Sequence, residues 1–257
     1  VDPYDHHVVV HTFPDQQDAV YSKLLGEKSG LTGASLQNAW NAAHRRTLQW
    51  INASREAGWP WVCANDEQGP ANLGVPPDPG YEGFDGKAGQ GKKAYDLHEI
   101  RKRTLWGTLM AGGAGVEYYF GYQLPQNDIL CQDFRSRDRS WDYCRIALEF
   151  FQRDDVPFTE MESADALVDG TDRNGHYCLA KPGQIYLVYL PSGGASQLDL
   201  AAGDGSFDVL WFNPRDGGDL QTGSVESVDG GSTAKLGEPP ADSTSDWLAV
   251  VRKASTE

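Results

Sequence analysis

Apolar and polar positions along residues 7–152 fall into blocks of alternating type. The β-branched run at residues 7–12, closed by Phe13-Pro14, predicts a strand. Residues 15–25 fit a short helix with Asp15 as N-cap and Gly26 as its stop. A weaker strand follows at residues 34–38. Trp40, Ala43, Thr47, Trp50, Ile51 and Ser54 recur at three- and four-residue spacing, which predicts a helix over 40–57 ended by Gly58. Residues 60–65 form the next apolar run. A Gly- and Pro-rich stretch over 69–91 reads as a long loop, and loops of that length are usually functional. Leu97, Ile100, Thr104, Leu105 and Leu109 mark a helix over 95–110, followed by a strand at 116–120 and a helix at 141–152.

Alternation of strand and helix implies parallel strands with right-handed crossovers. At about 40 residues per repeat, this is the scale of a (β/α)8 barrel, whose eight units need about 250 residues. Residues 1–162 therefore read as four units, half a TIM barrel. A doubly wound sheet is the alternative, but no Gly-rich phosphate loop follows any strand, and Gly112-Gly113-Ala114-Gly115 precedes its strand. From residue 163 the texture changes. Short strands at 176–181, 184–190, 197–200, 207–213, 224–228 and 247–252 are separated by turns such as Lys181-Pro182-Gly183 and Asp216-Gly217-Gly218. These predict an antiparallel β-sandwich over 163–257, with Tyr186, Val188, Leu198, Leu200, Val209, Trp211, Leu248 and Val250 as its core. The fold class is thus α/β, a half-barrel followed by a β-sandwich.

The chemistry centres on Trp61-Val62-Cys63-Ala64-Asn65-Asp66-Glu67-Gln68-Gly69. The apolar run ends in two adjacent carboxylates, at the strand edge where α/β folds bind ligands. The plainer alternative is that Asp66 caps a helix and Glu67 is solvated. By the same placement His11, Thr12 and Gln37 end strands at the active edge, where they suit contact with sugar hydroxyls; a core histidine is the alternative for His11. Glu117, amid aromatic residues, either points into the barrel mouth or pairs with an arginine. Tyr118, Tyr119, Trp59 and Trp61 can stack on a sugar, though packing in the core is the commoner fate. His98-Glu99 reads as a solvated helix face, and Asp169, Asp172 and Asn174 as a turn without the spacing of a calcium loop.

The net charge of −15 argues against nucleic acid and anionic membrane as partners and suits a neutral ligand. No apolar run approaches the length of a transmembrane helix. The four cysteines, Cys63, Cys131, Cys144 and Cys178, lack CxxC spacing, so a zinc site is not expected, and no cofactor is expected. Two disulfides or four buried thiols both remain open. The chain starts at Val1 without a signal sequence and reads as a fragment. Neither HExxH nor GxSxG is present, which disfavours a peptidase.

Several stretches resemble the apiosidase-like glycoside hydrolases, a (β/α)8 family. They are Asp2-Pro3-Tyr4-Asp5-His6-His7 through His11-Thr12, Ala34-Ser35-Leu36-Gln37, Asn65-Asp66-Glu67-Gln68-Gly69-Pro70-Ala71, and Leu105-Trp106-Gly107 through Glu117-Tyr118-Tyr119. Gly183-Gln184-Ile185-Tyr186-Leu187-Val188-Tyr189-Leu190 and Trp211-Phe212-Asn213-Pro214-Arg215 resemble a module labelled "putative collagen-binding domain of a collagenase". The resemblance implies that residues 60–65 are the seventh barrel strand and that Glu67 is the nucleophile of a retaining enzyme. It also implies that the acid/base carboxylate, at the end of strand four, lies upstream of Val1, so that residues 1–257 alone should be inactive. Retention needs two carboxylates about 5–5.5 Å apart. The implied substrate is plant or algal polysaccharide, with His11, Gln37, Asp66, Glu117 and Tyr119 as binding residues, in a secreted or periplasmic protein. The alternative is a non-catalytic protein whose tail binds glycan or an extracellular matrix protein such as collagen.

Overall fold

A computed structural model describes residues 4, 6–69, 72, 74–81, 87–88, 95–123, 126–130, 133–170 and 175–254. Cys131, Asp172, Asn174, Asp2, Asp5, Pro70, Ala71 and much of the expected 69–91 loop lie outside the described residues. The chain divides into two compact units, one of Val1–Leu109 with Gly113–Ser140, the other of Met110–Gly112 with Trp141–Glu257.

The first unit is built on a parallel sheet in the order β1 (Val9–Thr12), β2 (Gly33–Asn38), β3 (Val62–Gln68). Helices α1 (Gln17–Tyr21) and α2 (Ala43–Glu56) supply the crossovers. Tyr21, Leu31, Ala34, Leu36, Trp50, Trp61 and Cys63 form its core. The Tyr21 ring meets Trp50 edge-on at 5.0 Å, and its hydroxyl donates to the carbonyls of Ser35 (2.8 Å) and Val10 (3.2 Å). A polar tip is thereby buried without being orphaned. Gly33 is required by close approach: a Cβ there would lie 2.1 Å from the Val62 carbonyl oxygen on the neighbouring strand.

Three expectations need correction here. Asp15 does not cap α1. A turn, Gln16 N–H to the Phe13 carbonyl at 2.9 Å, delays the helix to Gln17, whose N-terminus has no side-chain cap, and the Asp15 carboxylate accepts from Gln16 Nε2 at 3.3 Å. The segment expected as one helix over 95–110 is composite. Tyr95–Asp96 (β5) pairs with Lys87–Ala88 (β4), and Asp96 caps α3 (Leu97–Glu99) by accepting from the Glu99 N–H at 2.8 Å. A π-helical turn, Ile100–Leu105, then leads into α4 (Trp106–Met110). Finally, the strand expected at 116–120 is reduced to one parallel bridge, Asn65 with Val116. Beyond it the Tyr119 carbonyl accepts from Val75 N–H (2.9 Å), and the N–H groups of Phe120 and Gly121 donate to the Asp128 carboxylate. The backbone past Val116 bonds elsewhere, so no ladder forms.

In the second unit, six antiparallel strands run in the order β11 (Gln221–Asp229), β10 (Ser206–Phe212), β13 (Trp247–Lys253), β8 (Ile185–Leu190), β7 (Tyr177–Lys181), β6 (Glu162–Ser163). A two-stranded ladder, β9 (Gln197–Asp199) with β12 (Thr233–Lys235), contributes Leu198 to the core shared with the larger sheet. Tyr186, Val188, Leu198, Leu200, Val209 and Trp211 lie in that core as expected, but Leu248 and Val250 do not. Register shows why. Val251 sits opposite Tyr186 and Val209, and Ala249 opposite Val188 and Trp211, so Trp247, Ala249 and Val251 share the core face. Leu248 and Val250 are buried on the other face. Because both faces are covered, residues 247–251 are apolar throughout and carry no alternation to read. Helix α5 (Asp138–Phe151) contributes to that second cover, with the Phe150 ring 4.6 Å from that of Phe212.

Cys63 and Cys178 are buried thiols and Cys144 a half-buried one. Burial pushes the Cys63 thiol up to about 12. Asp169 accepts from the Ser196 hydroxyl (2.7 Å) and the Gln197 N–H (3.0 Å), so its carboxylate serves the chain itself. Among the described residues no helix is long and apolar enough to cross a membrane.

Candidate active site

One side chain from each parallel strand meets at the carboxyl edge of the sheet. Between the pairs Ser35–Ala64 and Gln37–Glu67, β3 carries one residue more than β2. Uninterrupted pairing would have set Asp66 opposite Gln37. The extra residue, a β-bulge, sets Glu67 there instead, and bulges re-aim side chains in this way beside active sites. Gln37 Nε2 donates to Glu67 Oε1 at 2.8 Å. His11 Nε2, from β1, lies 3.3 Å from Glu67 Oε2. The other ring nitrogen, Nδ1, is 2.9 Å from Ser35 Oγ. A carboxylate only accepts, so the neutral His11 ring meets both neighbours when Nε2 carries the proton and Nδ1 accepts from the serine hydroxyl. Both oxygens of Glu67 are thus oriented, while 22% of its side chain stays open to solvent.

A shell of buried amides fixes this arrangement. Gln17 Nε2 donates to the Gln37 carbonyl (2.6 Å) and to Asn38 Oδ1 (3.1 Å). Its Oε1 accepts from Trp50 Nε1 and Arg46 Nε, each at 3.0 Å. Asn38 Nδ2 in turn donates to Asn65 Oδ1 at 2.8 Å, across to β3.

Beside Glu67 opens a cleft of about 190 Å³ lined by Asp66, Glu67, Tyr119, Tyr122 and Asp128. The Tyr119 hydroxyl donates to the Gln68 carbonyl at 2.7 Å. Burial first, then the charge of Glu67, pushes its phenol well above the ordinary tyrosine value, so it is a neutral donor at physiological pH. Among the described residues no cluster of His, Cys, Asp or Glu could hold a metal ion.

Of the residues singled out in the sequence, His11, Gln37 and Glu67 are joined by direct contacts, and Asp66 and Tyr119 line the same cleft. Glu117 follows the Val116 bridge rather than lying inside a strand; its N–H donates to the Asn65 carbonyl at 3.1 Å, and it is not among the residues lining the cleft. Trp61 belongs to the core, and Trp59 donates from Nε1 to the Leu31 carbonyl at 2.7 Å. Tyr118 packs against Trp40, Val75 and Ile100. Sequence reasoning missed Ser35, Tyr122 and Asp128. Ser35 is set beside His11 by the register of β1 with β2, which the sequence pattern does not carry.

The chain's sequence matches no curated protein at a significant level. Residues 163–252 match the family described as "Putative collagen-binding domain of a collagenase". A solved structure described as a glycoside hydrolase superposes with a TM-score of 0.66 at 12% identity, over 98% of this chain and 58% of its own. A glycoside hydrolase family 5 structure from Bacteroides vulgatus superposes with a TM-score of 0.63 at 15% identity, over 96% of this chain and 55% of its own. The chain therefore spans somewhat over half the length of these structures. Over nearly all of its residues it shares a fold with solved glycoside hydrolases, and its second unit contains a match to a collagen-binding-type module.

Proposed function

We propose that residues 1–162 are the C-terminal half of an apiosidase-like (β/α)8 barrel, that residues 163–257 are an accessory β-sandwich, and that Glu67 is the nucleophile of a retaining glycoside hydrolase. One observation carries this reading: Glu67 lies in the carboxyl-terminal part of a parallel strand with both oxygens oriented by Gln37 and His11 and with its side chain open to a cleft. In the first step a Glu67 oxygen bonds to the anomeric carbon as the glycosidic C–O bond breaks, and the leaving oxygen takes a proton from a second carboxylic acid. Water then displaces Glu67. The N–H groups of Gln37 and His11 hold the carboxylate in a single attacking geometry, which lowers the entropy cost of the step.

We place the second carboxylic acid outside residues 1–257, in the part of the fold that the matched structures contain and this chain does not cover. The proposed substrates are plant or algal polysaccharides, met by a secreted or periplasmic protein. The test is hydrolysis of a polysaccharide panel by a chain extended upstream of Val1, by the same chain carrying Glu67→Gln, and by residues 1–257. The substituted amide keeps the size of the carboxylate but cannot form the glycosyl ester. Turnover in the extended chain, abolished by the substitution at unchanged thermal stability, is expected. Equal rates for the two would remove Glu67 from the reaction. The match over residues 163–252 favours a second reading, in which this chain binds collagen or glycan without catalysis; retention on immobilised collagen together with no hydrolysis would support it.

A further inference from the structure

The loop past Val116 is held firmly, yet it leaves an aromatic ring in solvent at the cleft. Tyr122 N–H donates to the Asn72 carbonyl at 2.9 Å, and Gln123 N–H to the same oxygen at 3.0 Å. The Asp128 carboxylate straps the approach to Tyr122, accepting from Phe120 N–H (2.7 Å) and Gly121 N–H (2.9 Å), and Asp128 N–H returns a bond to the Gly121 carbonyl at 2.9 Å. The backbone on both sides of Tyr122 is therefore fixed by five hydrogen bonds among the described residues. The residue nonetheless remains 56% exposed while lining the same cleft as Glu67. A large apolar ring kept in water on an ordered loop forgoes the stabilisation that burying it would bring. The cleft supplies a reason: Tyr122 and Glu67 line the same space, so a ligand held at Glu67 can extend onto the ring.

The lining also sets a charge preference. Asp66, Glu67 and Asp128 are carboxylates, Tyr119 and Tyr122 are phenols, and among the described residues no lysine or arginine lines the cleft. A uronate or sulfate ester placed there would face the like charge of three carboxylates, which disfavours an anionic ligand.

From the two observations we infer that Tyr122 is a stacking platform for the saccharide unit next to the one at Glu67, and that the cleft selects uncharged sugars over uronates and sulfated sugars. The inference rests on the glycoside-hydrolase reading above and narrows its substrate class. Asp128 acts through Tyr122 as a positioning residue, its carboxylate being engaged with the backbone.

The experiment is titration calorimetry on residues 1–257 with xylo-, manno-, gluco- and galacto-hexaoses, trigalacturonate and a sulfated galactan oligosaccharide. At least one neutral hexaose should bind tighter than either anionic probe. For that hexaose, Tyr122→Ala should weaken binding about tenfold, the upper end of what one aromatic stacking contact supplies. Tyr122→Phe should restore it, because the ring and not the hydroxyl provides the contact. Asp128→Asn should weaken binding less than Tyr122→Ala, with an unchanged melting temperature. Neutral binding that Tyr122→Ala leaves unaltered would overturn the platform while leaving the Glu67 reading standing. Tighter binding of an anionic probe would overturn the charge preference. No binding by any probe would overturn the inference, while the Glu67 reading is decided separately by hydrolysis with Glu67→Gln.

Discussion

Gln17→Leu tests whether the amide shell holds the sheet edge in place. Gln17 is fully buried, and its side chain joins α1 to both β2 and α2. Leucine is close in size but removes a donor and an acceptor at once. Trp50 Nε1 and Asn38 Oδ1, both on buried side chains, lose the partner they find in Gln17, as does the Gln37 carbonyl. Arg46 is spared because its Nη1 still reaches Asp18 (3.0 Å) and Gln49 (2.7 Å). Leaving a buried polar group unsatisfied costs about 1–3 kcal/mol. Three such groups at the lower half of that range sum to about 3–6 kcal/mol, and the added apolar burial of leucine returns about 1–2. The net expectation is a loss of about 3 kcal/mol. Urea unfolding followed by circular dichroism measures it, and hydrogen exchange assigns the loss to β1–β3. A loss below about 1 kcal/mol would refute the reasoning, because it would mean that the shell is not structurally coupled.

Alkaline stability follows from the buried thiol. The Cys63 value of about 12 in the folded chain exceeds its unfolded value of 9.0, so its contribution is fully present below pH 9 and is lost as pH rises toward 12. The slope from this group is at most about 1.36 kcal/mol per pH unit, and Cys63→Ala should remove that part of it; identical slopes in denaturation at pH 9–11 would contradict the assignment. Gly33→Ala should cost at least the upper end of ~1–3 kcal/mol, because its Cβ meets a strand carbonyl at 2.1 Å; an unchanged melting temperature would show that β1–β3 can spread. Arg252→Ala should cost under about 1 kcal/mol, since its pair with Asp155 at 2.7 Å is partly exposed; a larger loss in thermal unfolding would show that the contact is not an ordinary surface pair.

The parallel sheet and the long helix α2 were legible because β-branched runs and periodic tryptophans leave strong patterns, with Gly58 as a clear stop. Glu67 could be found because its run of apolar residues ends abruptly. What the pattern could not carry was register. The extra residue in β3 that sets Glu67, not Asp66, opposite Gln37 has no local signature, since it depends on how two distant strands align. The parity of β13 was hidden for the opposite reason: five apolar residues in succession fit either face. The strand expected at residues 116–120 had suitable residues, but strand pairing needs a partner, and here Asp128 and Val75 take those backbone groups. Tyr122 was invisible for a related reason, as its exposure is set by hydrogen bonds to Asn72 and by Asp128.

The most direct measurement of the Glu67 claim bypasses the proton donor. A 2,4-dinitrophenyl 2-deoxy-2-fluoro glycoside carries a leaving group that departs without protonation, so residues 1–257 suffice. The chain is incubated with a panel of such glycosides, digested, and mapped by mass spectrometry. The account predicts a single glycosyl adduct on the peptide containing Glu67, no adduct in Glu67→Gln, and slower labelling in Gln37→Leu, where Oε1 loses its 2.8 Å donor. An adduct on Asp66 or Glu117, or labelling that persists in Glu67→Gln, would contradict it.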